Sequence, residues 1–478
     1  MKMMSERTKF HPIVLLVYFI RELKNWLFLF FLLLVDLDNL SIYTLLALSA
    51  ILALILIRVT IKYNTQTYQI SSEKIVVYRG IFKKKETEIT YDRIQTVKQR
   101  QWFFFQPFNV VEVLIETASS TPGEAEASLT AVDLSLVETI ESYRNKTGLT
   151  EPKTTEEDPE NPSDVRFHLD NKDIGLYALT DVTAILVVGT VTTFVLEWLP
   201  DSLFTGLGSI IDYFQGALII LLALIGLSLI AIASLLKSFM LFYNYNASLD
   251  QDTLTIEYGL FERKTQKIPL SKIQGVKVHK QLIRNFFKRS SVELIIMGGQ
   301  EKEGDGVTLR KLYLFPLIHN NSVYTKLNAF LPDRSIEEQE LTCVSNNRLW
   351  YFWRWKLLIG IPLVIAAFII HIYLGIGAVV YLIIGLVSGW KKSQEQGFTI
   401  QHNDLLCLQN FQGLSTVQLY IAQKNIQAFE QSTTLWLAKK KLGHLKVTFK
   451  EGEIPMGFEL HYIAQADSSQ IYNEFWQK

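Results

Sequence analysis

The stretch from Lys74 to Gln99, KIVVYRGIFKKKETEITYDRIQTVKQ, returns 179 residues later without a gap as TLTIEYGLFERKTQKIPLSKIQGVKV, from Thr253 to Val278. Gly80 falls on Gly259, Phe82 on Phe261 and Ile89 on Ile268, while Ile94, Gln95 and Val97 fall on Ile273, Gln274 and Val276. Apolar, glycine and polar positions all keep register, which is the mark of a reused structural unit. A third copy, LLCLQNFQGLSTVQLYIAQKNIQAF, runs from Leu405 to Phe429 and carries Gly413 and the pair Ile426 and Gln427 in corresponding places. Its glycine is displaced by about one place, and Asn425 stands where the other copies have a basic residue. The chain is one unit used three times.

Inside each unit the apolar positions alternate: Ile75 and Val77, then Val113 and Ile115, take every second place, as half-buried strands require. Gly80 and Gly259 stand where a turn needs a residue indifferent to the sign of φ. Each unit then closes with a helical pattern. In the first it spans Leu134 to Lys146, with Leu136, Ile140 and Tyr143 on one face; in the second, Asn321 to Phe330, with Val323, Leu327 and Phe330; in the third, Ser468 to Trp476. Antiparallel strands followed by one helix make a small α+β domain.

An apolar strand runs into a glycine, then a basic hairpin, an apolar residue, a short spacer, and Arg93-Ile94-Gln95 or Lys272-Ile273-Gln274. This order resembles the bacterial PH-like domain membrane protein family, the YdbS/YdbT-like proteins. The resemblance covers nearly the whole chain. It implies pleckstrin-homology-like domains alternating with pairs of membrane helices, and it implies a fold more firmly than an activity.

The 478 residues leave room for about three domains. The 47 basic residues balance the 47 acidic ones, so global charge points to no nucleic-acid partner. Cys343 and Cys407 stand in no C-x-x-C motif and read as reduced cytosolic thiols. Apolar residues gather in blocks. Phe10 to Lys24 reads as an interfacial helix. Trp26 to Val35, broken by Asp36 and Asp38, and Ser41 to Ile57 form the first hairpin. No small-residue cleavage site follows the N-terminal apolar run, which argues against a removable signal peptide. Leu179 to Leu199 with Phe214 to Leu236, and Lys356 to Ile372 with Leu374 to Trp390, form the second and third, against a bilayer requirement of about 20 residues per span. The expected third turn is Tyr373 to Gly375.

Basic residues, among them Arg21, Lys24, Arg58, Lys62, Lys237, Lys391 and Lys392, sit at the outer ends of the hairpins. The connecting turns hold Asp36, Asp38, Glu197, Asp201 and Asp212. The positive-inside rule then puts all three units and both termini in the cytoplasm of a multi-pass plasma-membrane protein. The expected fold is α+β: three transmembrane helical hairpins alternating with three PH-like domains of antiparallel β-sheets plus a C-terminal helix. The divisions are an interfacial helix and first hairpin over 1–62, domain one over 63–147, an acidic flexible linker over 148–165, the second hairpin over 166–240, domain two over 241–333, the third hairpin over 334–393 and a divergent domain three over 394–478.

Each unit carries a basic cluster. Lys83, Lys84 and Lys85 in the first and Arg263, Lys264 and Lys267 in the second follow the hairpin glycine and are candidates for anionic-lipid contact. A solvated hairpin on the positive side of the membrane accounts for the same residues without a ligand. Lys439, Lys440 and Lys441 lie elsewhere in the third repeat. Trp102 to Phe105 and Arg284 to Arg289 read either as membrane-dipping loops or as buried connections. The glycine-rich segment 297–306 lacks the spacing of a phosphate loop, and the histidines show no metal-binding spacing. No nucleophile elbow is present, so neither catalytic nor cofactor-binding nor metal residues are assigned. Segments 182–196, 217–235 and 357–370 hold no acidic or basic residue, which suits anchors better than carriers. The expected function is a non-enzymatic scaffold at the inner leaflet. Its expected partners are membrane lipids and either further copies of itself or a smaller membrane protein of the same family. The resemblance implies a setting in envelope maintenance or resistance to membrane-active peptides. The competing reading is a transporter or export-channel component.

Overall fold

The computed structural model describes residues 7–34, 42–80, 84–117, 127–147, 165–180, 217–297, 311–338, 341–343, 348–401, 404–452 and 454–476. Glu197, Asp201, Asp212, the first arm of the second hairpin beyond Thr180, and most of the glycine-rich segment lie outside them. Contacts divide the chain into two compact units. The first holds the N-terminal hairpin and first repeat together with Phe261–Lys267; the second holds most of the remainder.

In the first unit, a helix over Val14–Leu34 runs through both the expected interfacial segment and the first expected membrane arm, and Ile42–Thr65 follows. Val14, Val17 and Tyr18, one helical face, are buried in the domain core with Ile51, Ile55 and Val59 of the second helix. The hairpin is therefore rooted in the domain it precedes. The four-stranded antiparallel sheet has the order Thr8–Lys9, Thr67–Ile70, Lys74–Arg79, Lys85–Thr90. Ile94–Trp102, Val110–Thr117 and Ala127–Asp133 pair in turn as a second antiparallel layer. Ile75, Val77 and Ile89 from one layer meet Val97, Val113 and Ile115 from the other.

The closing helix Leu134–Thr147 starts where the Asp133 carboxylate accepts hydrogen bonds from the Ser135 backbone N–H (3.0 Å) and hydroxyl (2.9 Å), an N-cap. Those bonds hold the Asp133 carboxyl below its ordinary range. Val137 and Ile140 are its buried residues, with Leu136 and Tyr143 packed half-buried beside them. The expected face, Leu136, Ile140 and Tyr143, is the one that packs on the core, and Val137 widens it.

In the second unit the closing helix of the second repeat, Val323–Phe330, buries Val323, Leu327 and Phe330 as the sequence predicts. Each such side chain contributes roughly 1.5–3 kcal/mol of burial. The third repeat closes with Gln465–Ile471, burying Ile471. A seven-stranded antiparallel sheet runs through this unit in the order Leu312–His319, Arg289–Ile296, Ile273–Gln281, Ser415–Ala422, Leu405–Gln412, Gly397–Gln401, Thr342–Cys343. Its first three strands belong to the second repeat, the next three to the third.

Because side chains alternate across a strand, this shared sheet feeds two cores. Leu405, Cys407 and Tyr420 point into the core of the second repeat, whereas Leu406, Leu408, Leu419 and Ile421 point into that of the third. Ile295 crosses the other way. Strands buried on both faces read as near-continuous apolar runs, which is why LLCLQNFQ and STVQLYIA show little alternation.

Among the described residues three helices, Ile42–Thr65, Leu349–Ile370 and Leu374–Glu395, are long and apolar enough to cross a membrane. Ala217–Phe242, which carries the second expected arm of the middle hairpin, is a helix of 26 residues. In the third hairpin the chain turns at extended His371, two residues before the expected turn.

The backbone repeats as faithfully as the sequence. Gly80, Gly259 and Gly413 all have positive φ (96°, 112° and 62°), as the hairpin turn demands. Asn109, Lys288 and Lys441, at φ 51°, 54° and 53°, mark a second shared turn. Within that corner Phe105, Arg284 and Leu437 occupy one buried position. Arg284 is 1% exposed; its guanidinium donates to Thr180 Oγ1 (3.1 Å) and Ser291 Oγ (2.8 Å) and lies 4.0 Å above the Tyr177 ring. It pins the helix Asn171–Leu179 to the domain. Phe286 (84% exposed) and Trp436 (77% exposed) project from the same corners, so these connections are buried on one side and bare on the other.

Arg284→Ala removes the packing and opens a cavity, for an expected loss of about 2–4 kcal/mol. Arg284→Leu refills the volume as Leu437 does in its own repeat, and is expected to lose less than half as much. Thermal unfolding of the purified protein in detergent checks both.

Candidate functional site

No cluster of reactive side chains dominates the described residues. No three His, Cys, Asp or Glu side chains gather there as metal ligands. Cys407 is buried, and burial pushes its thiol up to about 12. The feature that recurs is a joint between strands.

In each repeat a hairpin strand (Lys85–Thr90, Glu262–Pro269, Ser415–Ala422) is followed by what we term the junction strand (Ile94–Trp102, Ile273–Gln281, Ile426–Ser432). Inside the first unit, the junction strand of repeat one pairs antiparallel with the hairpin strand of repeat two, from Trp102 opposite Glu262 to Val97 opposite Lys267. Inside the second unit, the junction strand of repeat two pairs with the hairpin strand of repeat three, from Gln281 opposite Ser415 to Gly275 opposite Ile421. Gln281 follows Trp102 by the 179-residue period, and Ser415 follows Glu262 by 153 residues, as Ile426 follows Ile273. The two joints therefore have one register.

Charges beside the joints are paired. Lys98 Nζ lies 2.6 Å from Glu116 Oε1, and both are buried. Arg100 Nε meets Glu262 across the first joint at 2.5 Å, and Lys267 Nζ meets Glu141 of the closing helix at 2.6 Å. Lys277, the counterpart of Lys98, reaches Glu451 at 2.5 Å and Glu293 at 3.6 Å. His279 Nε2 lies 2.6 Å from Glu293 Oε2. Burial alone would push the Glu293 carboxyl up, but the His279 hydrogen bond and the Lys277 charge outweigh it and hold it well below the carboxylate range. Burial likewise keeps the His279 imidazole below its ordinary value and so neutral near pH 7. A one-residue slip would turn these charges to the wrong face and leave them buried and unpaired, so they reinforce the register.

The basic clusters read from the sequence have unequal surroundings. Lys84 and Lys85 are exposed at the start of the first hairpin strand, and Lys83 lies outside the described residues. Arg263, Lys264 and Lys267 lie within the first joint, opposite Gln101, Arg100 and Val97. Lys439, Lys440 and Lys441 sit in the corner after the third junction strand.

One polar cavity escaped sequence reasoning. About 420 Å³ in volume, it is bounded by Lys356 and Lys392 of the third hairpin and by Asn410, Gly413, Glu459 and His461 of the third repeat. Burial, with the Lys392 and His444 charges adding to it, brings His461 down to about 4. The two lysines stand out in the sequence only as charges at the hairpin ends.

A family model described as the bacterial PH domain matches residues 26–146 and 182–313, more than half of the chain. The chain belongs to the bacterial PH domain family. It is 25% identical over 495 aligned residues to the UPF0699 transmembrane protein YdbT of Bacillus subtilis, with 98% of each chain covered. No solved structure matches it. The matched residues of this bacterial PH domain protein are those of the first two repeats and their hairpins, whereas the third repeat is tied to them by its hairpin and corner geometry and by the shared register.

Gly275 lies in the second joint, and a Cβ there would stand 2.9 Å from the Tyr420 carbonyl oxygen and 3.2 Å from Ile295 Cδ1. Gly275→Val is expected to force the strands apart and cost about 1–3 kcal/mol. At Gly226, where a Cβ meets nothing within 4 Å, the same substitution serves as the near-neutral control in a thermal melt.

Proposed function

We propose that this membrane protein is a non-enzymatic scaffold: its hairpins anchor the PH-like repeats at the cytoplasmic face of the cell membrane, where they hold further copies or a smaller membrane protein of the same family. The observation that carries this reading is the joint used twice in one register. A fold that binds its own kind by adding a strand has the means to assemble, since main-chain hydrogen bonds supply affinity while alternate side chains supply specificity. Orientation rests on the basic residues at the hairpin ends, including Lys391 and Lys392. Amine-reactive crosslinking in native membranes, followed by mass spectrometry, is expected to trap a stable neighbour. Recovery of the chain alone, with neither a second copy nor another protein attached, rejects the scaffold.

Lipid contact accompanies anchoring in this reading. The exposed cations at the first hairpin, Lys84 and Lys85 with neighbouring Lys83 in the sequence, suit anionic headgroups at about 1 kcal/mol each. Replacing all three with glutamine is expected to weaken flotation of the purified protein with anionic liposomes and to leave flotation with neutral ones unchanged. Equal flotation of both proteins removes that contact from the account.

A further inference from the structure

Among the described residues, two sheet edges carry unlike strands of the repeat. Two of the three junction strands are covered by the hairpin strand of the following repeat. The third, Ile426–Ser432, is among the described residues the outermost strand of its sheet, with Leu442–Glu451 on its inner side. In the first unit, the hairpin strand of the first repeat, Lys85–Thr90, is among the described residues the last strand of its four-stranded sheet, beside Lys74–Arg79. One edge therefore offers the strand that forms one side of the joint, and the other edge offers the strand that forms the other side.

We propose that a second copy of this chain docks its first-repeat strand Lys85–Thr90 against the third-repeat strand Ile426–Ser432, making between molecules the joint already made twice within one. The proposal rests on the scaffold reading and names its partner and geometry. The register follows from the internal joints. Stepping the pair Gln99 and Thr265 of the first joint to the open ends, by the same repeat offsets, sets Gln431 opposite Glu86. Ser432 then faces Lys85 and Glu430 faces Thr87, with Lys85 diagonal to Glu430 on the same face.

Exposure agrees with the assignment: Glu430, Gln431 and Ser432 are exposed, as are Lys85, Glu86 and Glu88. Charge on the first hairpin strand is no obstacle. Its counterpart in the second repeat carries Glu262, Arg263, Lys264 and Lys267 and is paired along its length. Edge strands left open invite other chains, so natural sheets cover them or blunt them. Here the same element is covered in repeats one and two. The joint is heterologous, since unlike strands meet, and repeating it gives a ring or an open row of copies in the membrane plane.

The test uses the full-length protein in native membranes, with two differently tagged copies co-expressed. One carries Glu86→Cys and the other Gln431→Cys; a second set carries Thr87→Cys and Glu430→Cys. Opposed residues in an antiparallel pair lie about 4.5–5.5 Å apart at Cα, within reach of a disulfide. Mild oxidation is expected to give a dimer bearing both tags. No such dimer is expected from the shifted pair Thr90→Cys with Gln431→Cys, or when either cysteine is present alone. Gln99→Cys with Thr265→Cys in one chain reports that the internal joint tolerates and closes the same bond.

If amine crosslinking finds a neighbour but the registered cysteines do not link, this docking is wrong while the scaffold stands. If the Gln431→Cys copy links to a different protein, the second copy is the wrong partner. If crosslinking finds no neighbour of any kind, the scaffold falls and this inference with it.

Discussion

A strand has hydrogen-bonding groups along both sides, and the outer row of a sheet must meet water, a cover or another strand. The organisation of this protein follows from how it meets that requirement. Repeats one and two each carry a junction strand whose outer side is taken by the hairpin strand of the next repeat. A repeat is thus not complete in itself, because part of its sheet is supplied by its successor in the chain.

The second joint has a further effect on the interior. A sheet belonging to one domain has one inner face, whereas the sheet through Ile273–Gln281 and Ser415–Ala422 packs into a different core on each side. Two small domains, each marginal alone because little surface is removed from water at that size, gain a common layer. Among the polar residues caught in that layer, Lys277 lies between Glu293 and Glu451, and Gln418 receives the Tyr324 hydroxyl at 2.7 Å.

Local features of the fold were legible in the chain because they impose local rules. The glycine at each hairpin turn, the alternation of Ile75 and Val77, and the helical spacing of Val323, Leu327 and Phe330 can each be read within a few residues. The joints were not legible, since no local pattern records which strand lies beside Glu262–Pro269. Its charges, Arg263, Lys264 and Lys267, read equally well as a hairpin tip for lipid. Only the neighbouring strand and Glu141 reveal what they face. The corner position shared by Asn109, Lys288 and Lys441 was hidden for another reason: asparagine suits left-handed backbone and lysine does not advertise it. The polar cavity escaped notice because Lys356 and Asn410 are far apart in sequence and meet only when the hairpin stands on the third repeat.

The repeats differ most where each meets its own hairpin. The first ties Arg21 of its hairpin to buried Glu112 at 2.8 Å. The second instead holds Arg284 against Tyr177 and Thr180, and joins Arg289 to Asp173 at 3.0 Å. The third sets Arg348 on the Tyr462 carbonyl at 2.6 Å and Gln396 on the His461 N–H at 2.7 Å. One structural slot consequently holds phenylalanine, arginine or leucine at Phe105, Arg284 and Leu437. Contacts to a hairpin involve one domain and one helix pair, so they can change in a single repeat without disturbing the others. A joint binds two repeats at once, and a change of register on one side would turn every side chain of the other to the wrong face. That constraint explains how the third copy has lost the basic hairpin and much of its sequence likeness while its strands still pair in the register of the first two.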